Sequence, residues 1–207
     1  MGKYRGPKIR LSRREGVDLG MKTVGSHAHA TLLRRLTVPP GQHGPKGSRR
    51  KVSDYGRQLR EKQKVKRLYG MLERQFRKNF EIAKKVRGNT GDTIIQLLER
   101  RLDNALYRMA LTPTRASARQ FIGHGHVQVN GKKLTIPSYL VKIGDVINVT
   151  AKGAEIPAVK KLLEDKTPTV PTWIERKGPA GKIVRFSERT DVTEDINEQL
   201  IIEFYSR

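Results

Sequence analysis

Two arginines and two lysines are the residues of this chain best suited to holding phosphate groups. Arg115 and Arg119 lie one helical turn apart in an amphipathic segment, so their guanidinium groups share a face. Each group presents a planar set of donors, and this spacing suits neighbouring phosphates. Lys132 and Lys133 follow directly after Asn130-Gly131, a dipeptide typical of a tight hairpin. The four side chains therefore predict a surface that binds folded RNA.

Two short helices and a hairpin are predicted to hold these cations on one small core. The first helix has an apolar stripe at helical spacing, formed by Leu98, Leu102, Ala105, Leu106 and Met109. Pro113 ends this helix, and Thr114 is suited to cap the second. The second helix directs three apolar residues inward: Ala118, Phe121 and Ile122. Val127 and Val129 then alternate with polar residues in the hairpin, and residues 144–149 supply a further strand.

Two His-x-His pairs, His27 with His29 and His124 with His126, are the next residues with possible chemistry. Such pairs can bind transition metals, but the chain has no cysteine and the closest acidic residues are not at ligand spacing. Histidine rings also contact nucleotides in RNA complexes. For His124 and His126 we therefore prefer a nucleotide contact to a metal site, with a plain loop role as the alternative.

The triplet Arg101-Leu102-Asp103 is similar to one that holds the catalytic aspartate of pseudouridine synthases. Here it falls inside an amphipathic helix, and Arg101 and Arg108 lie close to Asp103 in sequence. We interpret Asp103 as a structural ion-pair partner or a surface acid of the helix. The sequence shows no Walker-type phosphate loop, no Ser/His/Asp arrangement and no acid–base pair, so no enzymatic activity is predicted.

The charge of the chain indicates a polyanionic partner. Its 43 Lys and Arg residues outnumber 20 Asp and Glu residues, which gives a formal net charge of +23 and a pI of about 10.6. Self-repulsion at this charge destabilises the compact state unless an anion neutralises it. Residues 151–207 contain ten residues of each sign, so the excess lies in residues 1–150 and the last quarter is least suited to nucleic acid.

The composition also excludes several kinds of site. Without cysteine the chain has no disulfide and no thiolate metal site. No apolar run approaches the ~20 residues that span a bilayer, and the N-terminus lacks the apolar core of a secretory signal. We expect a cytoplasmic protein with no metal, no cofactor, no membrane association and no small-molecule substrate.

Residues 1–50 are basic and show no sustained helical or strand period. They are either a disordered tail or, as we prefer, a basic arm that becomes ordered on RNA. From a cap at Ser53 or Asp54, apolar residues recur at helical spacing up to Phe80, weakened at Gly70. The outer faces carry nine cations: Arg57, Arg60, Lys62, Lys64, Lys66, Arg67, Arg74, Arg77 and Lys78. For roughly half of them a solvated face is the simpler interpretation.

The last part of the chain is predicted to contain a helix at 157–165, a proline-broken extended segment at 167–173 and a helix near 194–199. The run LIIEFY at 200–205 is too apolar for a solvated tail. We expect it to pack on the helical region before residue 90.

Most aromatic residues in the predicted helices fall on the apolar faces: Tyr69, Phe76, Phe80 and Phe121. We therefore expect them in the core. Tyr4 and Tyr55 lie in basic, polar surroundings and are the better candidates for contacts with bases or ribose.

Long motifs in these segments resemble a known family. The segment RLDNALYRMALTPTRASARQFIGHGHVQVNGKKLTIPSYLVKIGDVI resembles the S-four-type RNA-binding module, which pseudouridine synthases, tyrosyl-tRNA synthetases and a small heat-shock ribosome-binding protein also contain. The flanks LSRREG, PPGQHG, SDYGRQLREKQKVKRLYGMLERQF and INEQLIIEFYSR resemble the bacterial ribosomal protein S-four family. The resemblance covers nearly the whole chain.

The resemblance implies an α+β protein in which a mostly helical domain contains an inserted S-four-type module of two helices and a small antiparallel sheet. We expect a basic N-terminal arm at 1–50, a helical domain at 51–98 completed by 167–207, and the RNA-binding domain at 99–166. Some members bind zinc through N-terminal cysteines, and the absence of cysteine here implies that this zinc site is missing.

The resemblance also implies a function. A member of this family is a structural constituent of the small ribosomal subunit that binds 16S rRNA at a multi-helix junction in the 5′ domain and nucleates assembly. It would lie beside neighbouring small-subunit proteins, near the path by which messenger RNA enters, and contribute to translational accuracy. The alternatives are an RNA-modifying enzyme, for which the segment after residue 166 is too short to form a catalytic domain, and a ribosome-associated RNA chaperone.

Two sets of residues are expected to contact RNA. The rRNA-binding set is Arg13, Arg14, Tyr55, Arg57, Lys62, Lys64, Lys66, Arg115, Arg119, His124, Lys132 and Lys133. The set expected near the entering messenger is Lys46, Arg49, Arg50 and Lys51.

Overall fold

The computed structural model describes residues 2, 4–45, 51–165 and 168–207. The chain divides into two compact units, one formed by Met1–Gly91 with Glu194–Arg207 and the other by Asp92–Thr193. Unit 1 is helical, whereas unit 2 combines helices with an antiparallel sheet, so the predicted α+β class is confirmed. None of the described helices is long and apolar enough to cross a membrane.

Unit 1 has five helices among its described residues: α1 (Lys8–Glu15), α2 (His27–Arg34), α3 (Asp54–Leu68), α4 (Glu73–Lys85) and α10 (Glu198–Tyr205). The prediction of irregular structure was wrong for α1 and α2. Gly16 ends α1 in the left-handed region, with a φ of 74°, and the Ser26 side chain caps α2 by accepting a hydrogen bond from the His29 amide. Leu19 and Leu32 are buried, so these short helices are held by packing that their sequence period did not reveal.

The helical segment predicted from residue 53 to 80 is two helices because Gly70 breaks it. Ser53 caps α3, as one of the two predicted alternatives, by accepting from the Gly56 amide. Gly70 adopts a φ of 60°, and the Met71 amide donates to the Lys66 carbonyl at 2.9 Å. This is the Schellman pattern, which glycine favours because it has no Cβ.

The C-terminal helix α10 packs on α3 and α4. The ring of Tyr205 stacks on Phe80 with 4.7 Å between centroids and lies 6.1 Å from Phe76. The amide of Gln58 donates to the Glu203 carboxylate at 2.9 Å. The prediction that residues 200–205 pack on the helical region before residue 90 is therefore confirmed.

Unit 2 contains most of α5 (Thr90–Glu99) and, among its described residues, four further α-helices, one 3₁₀ helix (Arg189–Asp191) and five strands. The helices are α6 (Leu102–Arg108), α7 (Arg115–Gly123), α8 (Ala151–Ala154) and α9 (Pro157–Glu164). The strands are β1 (Val127–Val129), β2 (Lys132–Lys133), β3 (Val146–Val149), β4 (Ile174–Lys177) and β5 (Ala180–Ile183). They form one antiparallel sheet in the order β2-β1-β3-β5-β4.

The described residues from 168 to 193, which the sequence analysis joined to the helical domain, lie in unit 2. There β5 pairs with β3, with Ile147 opposite Gly181, and β4 forms the edge of the sheet. Trp173 is 1% exposed and joins the core of this unit. Strands of four residues are too short for a reliable alternating pattern, and β3, the strand that joins β5 to the sheet, lies more than 30 residues earlier in the sequence.

The helix predicted across residues 98–109 is also divided. Arg101 is extended, with a ψ of 136°, and pairs with Leu140 in an isolated β-bridge. The Leu102 amide donates to the Tyr139 carbonyl at 2.8 Å, which separates α5 from α6. The predicted apolar stripe is nevertheless fully buried, and Thr114 caps α7 as predicted by accepting from the Ser117 amide.

Candidate nucleic-acid interface

The β1–β2 hairpin presents two lysines to solvent. Val129 pairs with Lys132 across a two-residue loop, in which Asn130 and Gly131 have φ values of 51° and 77°. Two consecutive positive φ values are the signature of a type I′ turn, so the tight hairpin predicted from Asn130-Gly131 is present. Lys132 and Lys133 are both exposed. We call these two lysines together with His124, also exposed, the hairpin surface.

A buried carboxylate holds this hairpin in place. Asp145 is 7% exposed and accepts hydrogen bonds from the Asn130 side-chain amide and the Lys142 backbone amide, both at 2.8 Å. The Asn130 side-chain oxygen in turn accepts from the Val146 amide at 2.9 Å. Both ends of the Asn130 side chain are therefore bonded to the segment around β3, which fixes the direction of the turn.

Lys133 lies over the loop that follows α7. A Cβ placed on Gly125, whose φ is 76°, would come within 2.1 Å of the Lys133 Cε atom. The absence of a side chain at Gly125 therefore leaves the space that the lysine occupies. The neighbouring His126 ring packs on Phe121 with 5.0 Å between ring centroids, and the centroids of the His124 and His126 rings are 6.2 Å apart. Lys133 and the loop that contains His124 therefore lie side by side, and the RNA contacts of Lys133 and His124 stay a prediction.

Arg119 is engaged by a buried acid. Asp103 is 2% exposed and accepts from Arg119 Nη2 at 2.6 Å and from Arg101 Nη2 at 2.8 Å. Arg101 Nε also donates to Asp103 at 3.1 Å, so that pair is bidentate. The interpretation of Asp103 as a structural ion-pair partner agrees with this geometry.

Arg115 is held by a second polar network. It is 7% exposed, its Nε donates to the Asn104 side-chain oxygen at 2.7 Å, and its guanidinium lies 4.6 Å from the Tyr107 ring centroid. Asn104 in turn donates to Glu99, which also pairs with Arg108 at 2.8 Å. These contacts order the α6–α7 pair, and a role for Arg115 or Arg119 in binding phosphate stays a prediction.

The three lysines predicted on α3 also have partners inside unit 1. Lys62, 4% exposed, and Lys66 donate to the Glu73 carboxylate at 3.0 and 2.8 Å, and Lys64 pairs with Glu61 at 2.9 Å. Burial acts to raise the pKa of Glu73, but hydrogen bonds from Lys66, Tyr205 and Lys62 outweigh it and lower the pKa to about 2. The lysines therefore neutralise acids of the protein itself.

The remaining predicted residues of unit 1 differ in exposure. Arg13 donates to the carbonyls of residues 38 and 39, at 2.9 Å each, whereas Arg14 is exposed. Arg57 is exposed and pairs with Asp54 at 2.5 Å. Tyr55 is 50% exposed, with the Arg207 guanidinium 5.5 Å from its ring centroid.

Most of the set expected near messenger RNA lies outside the residues that the structure describes. Lys46, Arg49 and Arg50 lie outside the described residues, and Lys51 is exposed. Their role stays a prediction.

Sequence reasoning assigned no function to the outer face of α4. We define the α4 stripe as its five exposed cations: Arg74, Arg77, Lys78, Lys84 and Lys85. The helical spacing of Phe76, Phe80 and Ala83, which are buried on the opposite face, was the signal that could have separated this stripe from the cations of α3.

Comparisons with known proteins cover the whole chain. Residues 3–99 match the family described as Ribosomal protein S4/S9 N-terminal domain, and residues 100–147 match the S4 domain. Small ribosomal subunit protein uS4 of Herpetosiphon aurantiacus is 50% identical over 212 residues, with both chains fully covered. Symbiobacterium thermophilum uS4A and Dictyoglomus turgidum uS4 are each 46% identical over 209 residues, again with full coverage of both chains. The chain therefore belongs to the uS4 family of small ribosomal subunit proteins.

Proposed function

We propose that this protein is a structural constituent of the small ribosomal subunit and binds 16S rRNA directly. The full-length match to proteins named small ribosomal subunit protein uS4 is the observation on which this proposal rests. The protein docks at a multi-helix junction of the 5′ domain, nucleates assembly and lies in the cytoplasm as part of the ribosome. Its partners are the rRNA and neighbouring subunit proteins, and it performs no chemical reaction.

The hairpin surface makes direct contacts in this proposal. Lys132 and Lys133 are exposed on a hairpin that is fixed by the bonds of Asn130, and His124 is exposed at the end of α7, so cations reach the RNA without ordering a loop. Recognition depends on RNA shape and phosphates more than on base sequence. Of the engaged cations, Arg115 and Arg119 order the α6–α7 pair, and Lys62, Lys64, Lys66 and Arg13 hold unit 1 together. Any phosphate contact of these six residues is made in addition to these bonds.

Exposed residues of unit 1 supply further contacts. Arg14, Arg57 and Tyr55 bind the rRNA, and the segment that contains Lys51 lies near the path by which messenger RNA enters and contributes to accuracy. We also propose that the two units act as separate domains, with the RNA-binding module inserted into the helical one.

A binding measurement tests the function. The full chain is titrated with a 5′-domain fragment of small-subunit rRNA and with an unrelated structured RNA of equal size, at near-physiological salt. A preference of roughly 100-fold, about 2.7 kcal/mol, supports the proposal. Equal affinity for the two RNAs would favour a ribosome-associated RNA chaperone. Loss of the protein from small subunits when they are pelleted through a high-salt cushion would also favour a chaperone.

A paired substitution tests the hairpin surface. Lys132→Gln with Lys133→Gln removes two cations and should reduce the slope of log affinity against log salt by about 1.5 to 2. Lys160→Gln with Lys161→Gln removes the same charge from exposed positions of α9 and serves as the control. Equal slopes for the two double variants would remove the hairpin lysines from the interface.

A further inference from the structure

The α4 stripe is a continuous cationic face. At 100° per residue its five cations fall within roughly 120° of arc, and at 1.5 Å per residue Arg74 and Lys85 lie about 16 Å apart along the axis. The opposite face is buried through Phe76, Phe80 and Ala83, so packing fixes which side of the helix meets solvent. Glu81 is the one acidic residue on this exposed face, all of which the structure describes.

The stripe has one acid for its five cations, whereas the lysines Lys62, Lys64 and Lys66 of α3 each have a carboxylate partner. Glu73, adjacent to Arg74 in sequence, accepts hydrogen bonds from Lys62, Lys66 and Tyr205. Within the part of the chain that the structure describes, no ion pair joins a stripe residue to an acidic side chain. A face of five cations with one acid repels itself, whereas the α3 lysines stabilise the fold.

The position of the cations on the helix argues further for an external anion. Lys84 and Lys85 lie in the last turn, where the helix dipole favours positive charge, so they have a structural reason to be there. Arg74 is the second residue of α4, where the positive end of the dipole disfavours a cation. Arg77 and Lys78 follow one turn later and gain nothing from either end. These three residues therefore distinguish a binding face from a solvated one.

We propose that the α4 stripe binds the phosphate backbone of duplex RNA. The proposal rests on the proposed function in taking RNA as the partner. Single strands are held by aromatic rings on which bases stack, and the fully described α4 has both of its aromatic residues, Phe76 and Phe80, buried. A rigid row of cations without a stacking surface suits a backbone of fixed A-form shape.

The test compares two triple variants of the full chain. The stripe variant is Arg74→Gln, Arg77→Gln, Lys78→Gln. The control is Lys152→Gln, Lys160→Gln, Lys161→Gln, which removes the same charge from exposed positions of α8 and α9. Glutamine keeps the helix propensity of lysine and arginine, and all six side chains are exposed, so both variants should fold. Circular dichroism and thermal unfolding verify this, and single stripe variants repeat the measurement stepwise.

Affinity is measured from 50 to 200 mM salt for a perfect RNA hairpin duplex and for an unstructured strand of equal length. For the duplex, the stripe variant should reduce the slope of log affinity against log salt by about 2 to 3. Each lost phosphate contact lowers this slope by about 0.9 in a duplex such as B-DNA. The control should reduce it by less than about 1, and each single stripe variant should remove about one unit.

Equal duplex slopes for the stripe and control variants would overturn the inference. A loss confined to the unstructured strand would overturn the assignment to duplex RNA. Unchanged RNA binding with reduced incorporation into subunits would replace RNA by an acidic protein partner. None of these outcomes depends on the preference of the wild-type chain for the 5′-domain fragment, which tests the proposed function by itself.

Discussion

Glu73 should stabilise unit 1 more than any exposed carboxylate of the same helix. Its carboxylate accepts from Lys62 Nζ at 3.0 Å, from Lys66 Nζ at 2.8 Å and from the Tyr205 hydroxyl at 2.7 Å. It therefore joins the start of α4 to α3 and α10. Replacing Glu73 with glutamine keeps the size of the side chain but leaves the 4% exposed Lys62 without its counter-ion.

The size of the stability contributed by Glu73 follows from the pKa of its carboxyl group. The difference between the ordinary value of 4.5 and about 2 in the folded protein corresponds to roughly 3 kcal/mol. Because the Glu73 side chain is 44% exposed, screening by water reduces this figure, and we expect Glu73→Gln to lower the free energy of unfolding by about 1.5 kcal/mol at pH 7.

The same carboxyl fixes the direction of the pH dependence. A pKa that is lower in the folded state adds stability above the unfolded pKa, and this stability is lost as pH falls through the folded pKa. The wild-type chain should therefore lose the contribution of Glu73 between about pH 5 and pH 2, and the difference from Glu73→Gln should shrink over that window.

Urea unfolding followed from pH 7 down to pH 2 measures both effects. Glu81→Gln is the matched control, since Glu81 is an exposed acid on the same helix with no ion pair among the described residues. Equal destabilisation by the two substitutions, or a wild-type and Glu73→Gln difference that stays constant with pH, would refute the assignment of this stability to Glu73.

Two further substitutions test the hairpin surface and the buried ion pairs of unit 2. Gly125→Ala should displace Lys133 and reduce the salt slope of RNA binding by about 1, whereas Gly131→Ala, with the same positive φ but open space around it, should share the strain without this loss. Equal salt slopes for Gly125→Ala and Gly131→Ala would contradict the role of Lys133 in RNA binding. Asp103→Asn should lower the free energy of unfolding by about 3 kcal/mol, because it leaves buried guanidinium groups without their carboxylate; a change under about 1 kcal/mol in urea unfolding would show that water or neighbouring groups compensate.

Local chemistry made several elements predictable. Asn130-Gly131 specified the hairpin because few other residue pairs adopt positive φ values at two consecutive positions. Thr114 marked the start of α7 because its hydroxyl accepts a hydrogen bond from an amide of the first turn. The apolar stripe before Pro113 identified the core residues correctly. Its division at Arg101 was missed because the extended conformation there depends on a partner near Leu140, some 40 residues away.

The candidate site also has a part that the sequence predicted and a part that it did not. The sequence shows which residues carry charge, and Lys132 and Lys133 are exposed as their place beyond the turn predicted. It does not show which cations already have an acid beside them: Arg119 bonds Asp103 and Lys62 bonds Glu73, and both acids are brought there by the packing of other helices. The helical spacing of α4 could have outlined the stripe, but the sequence does not show that its cations lack ion-pair partners among the described residues.

By itself the sequence determined the class of partner, the α+β composition, the hairpin and the family, because net charge, turn residues and long motifs are properties of the chain read in order. The tertiary structure decided which arginines and lysines neutralise the protein and which remain exposed. It also decided that β4 and β5 extend the sheet of unit 2, because strand pairing and ion pairing depend on residues distant in sequence.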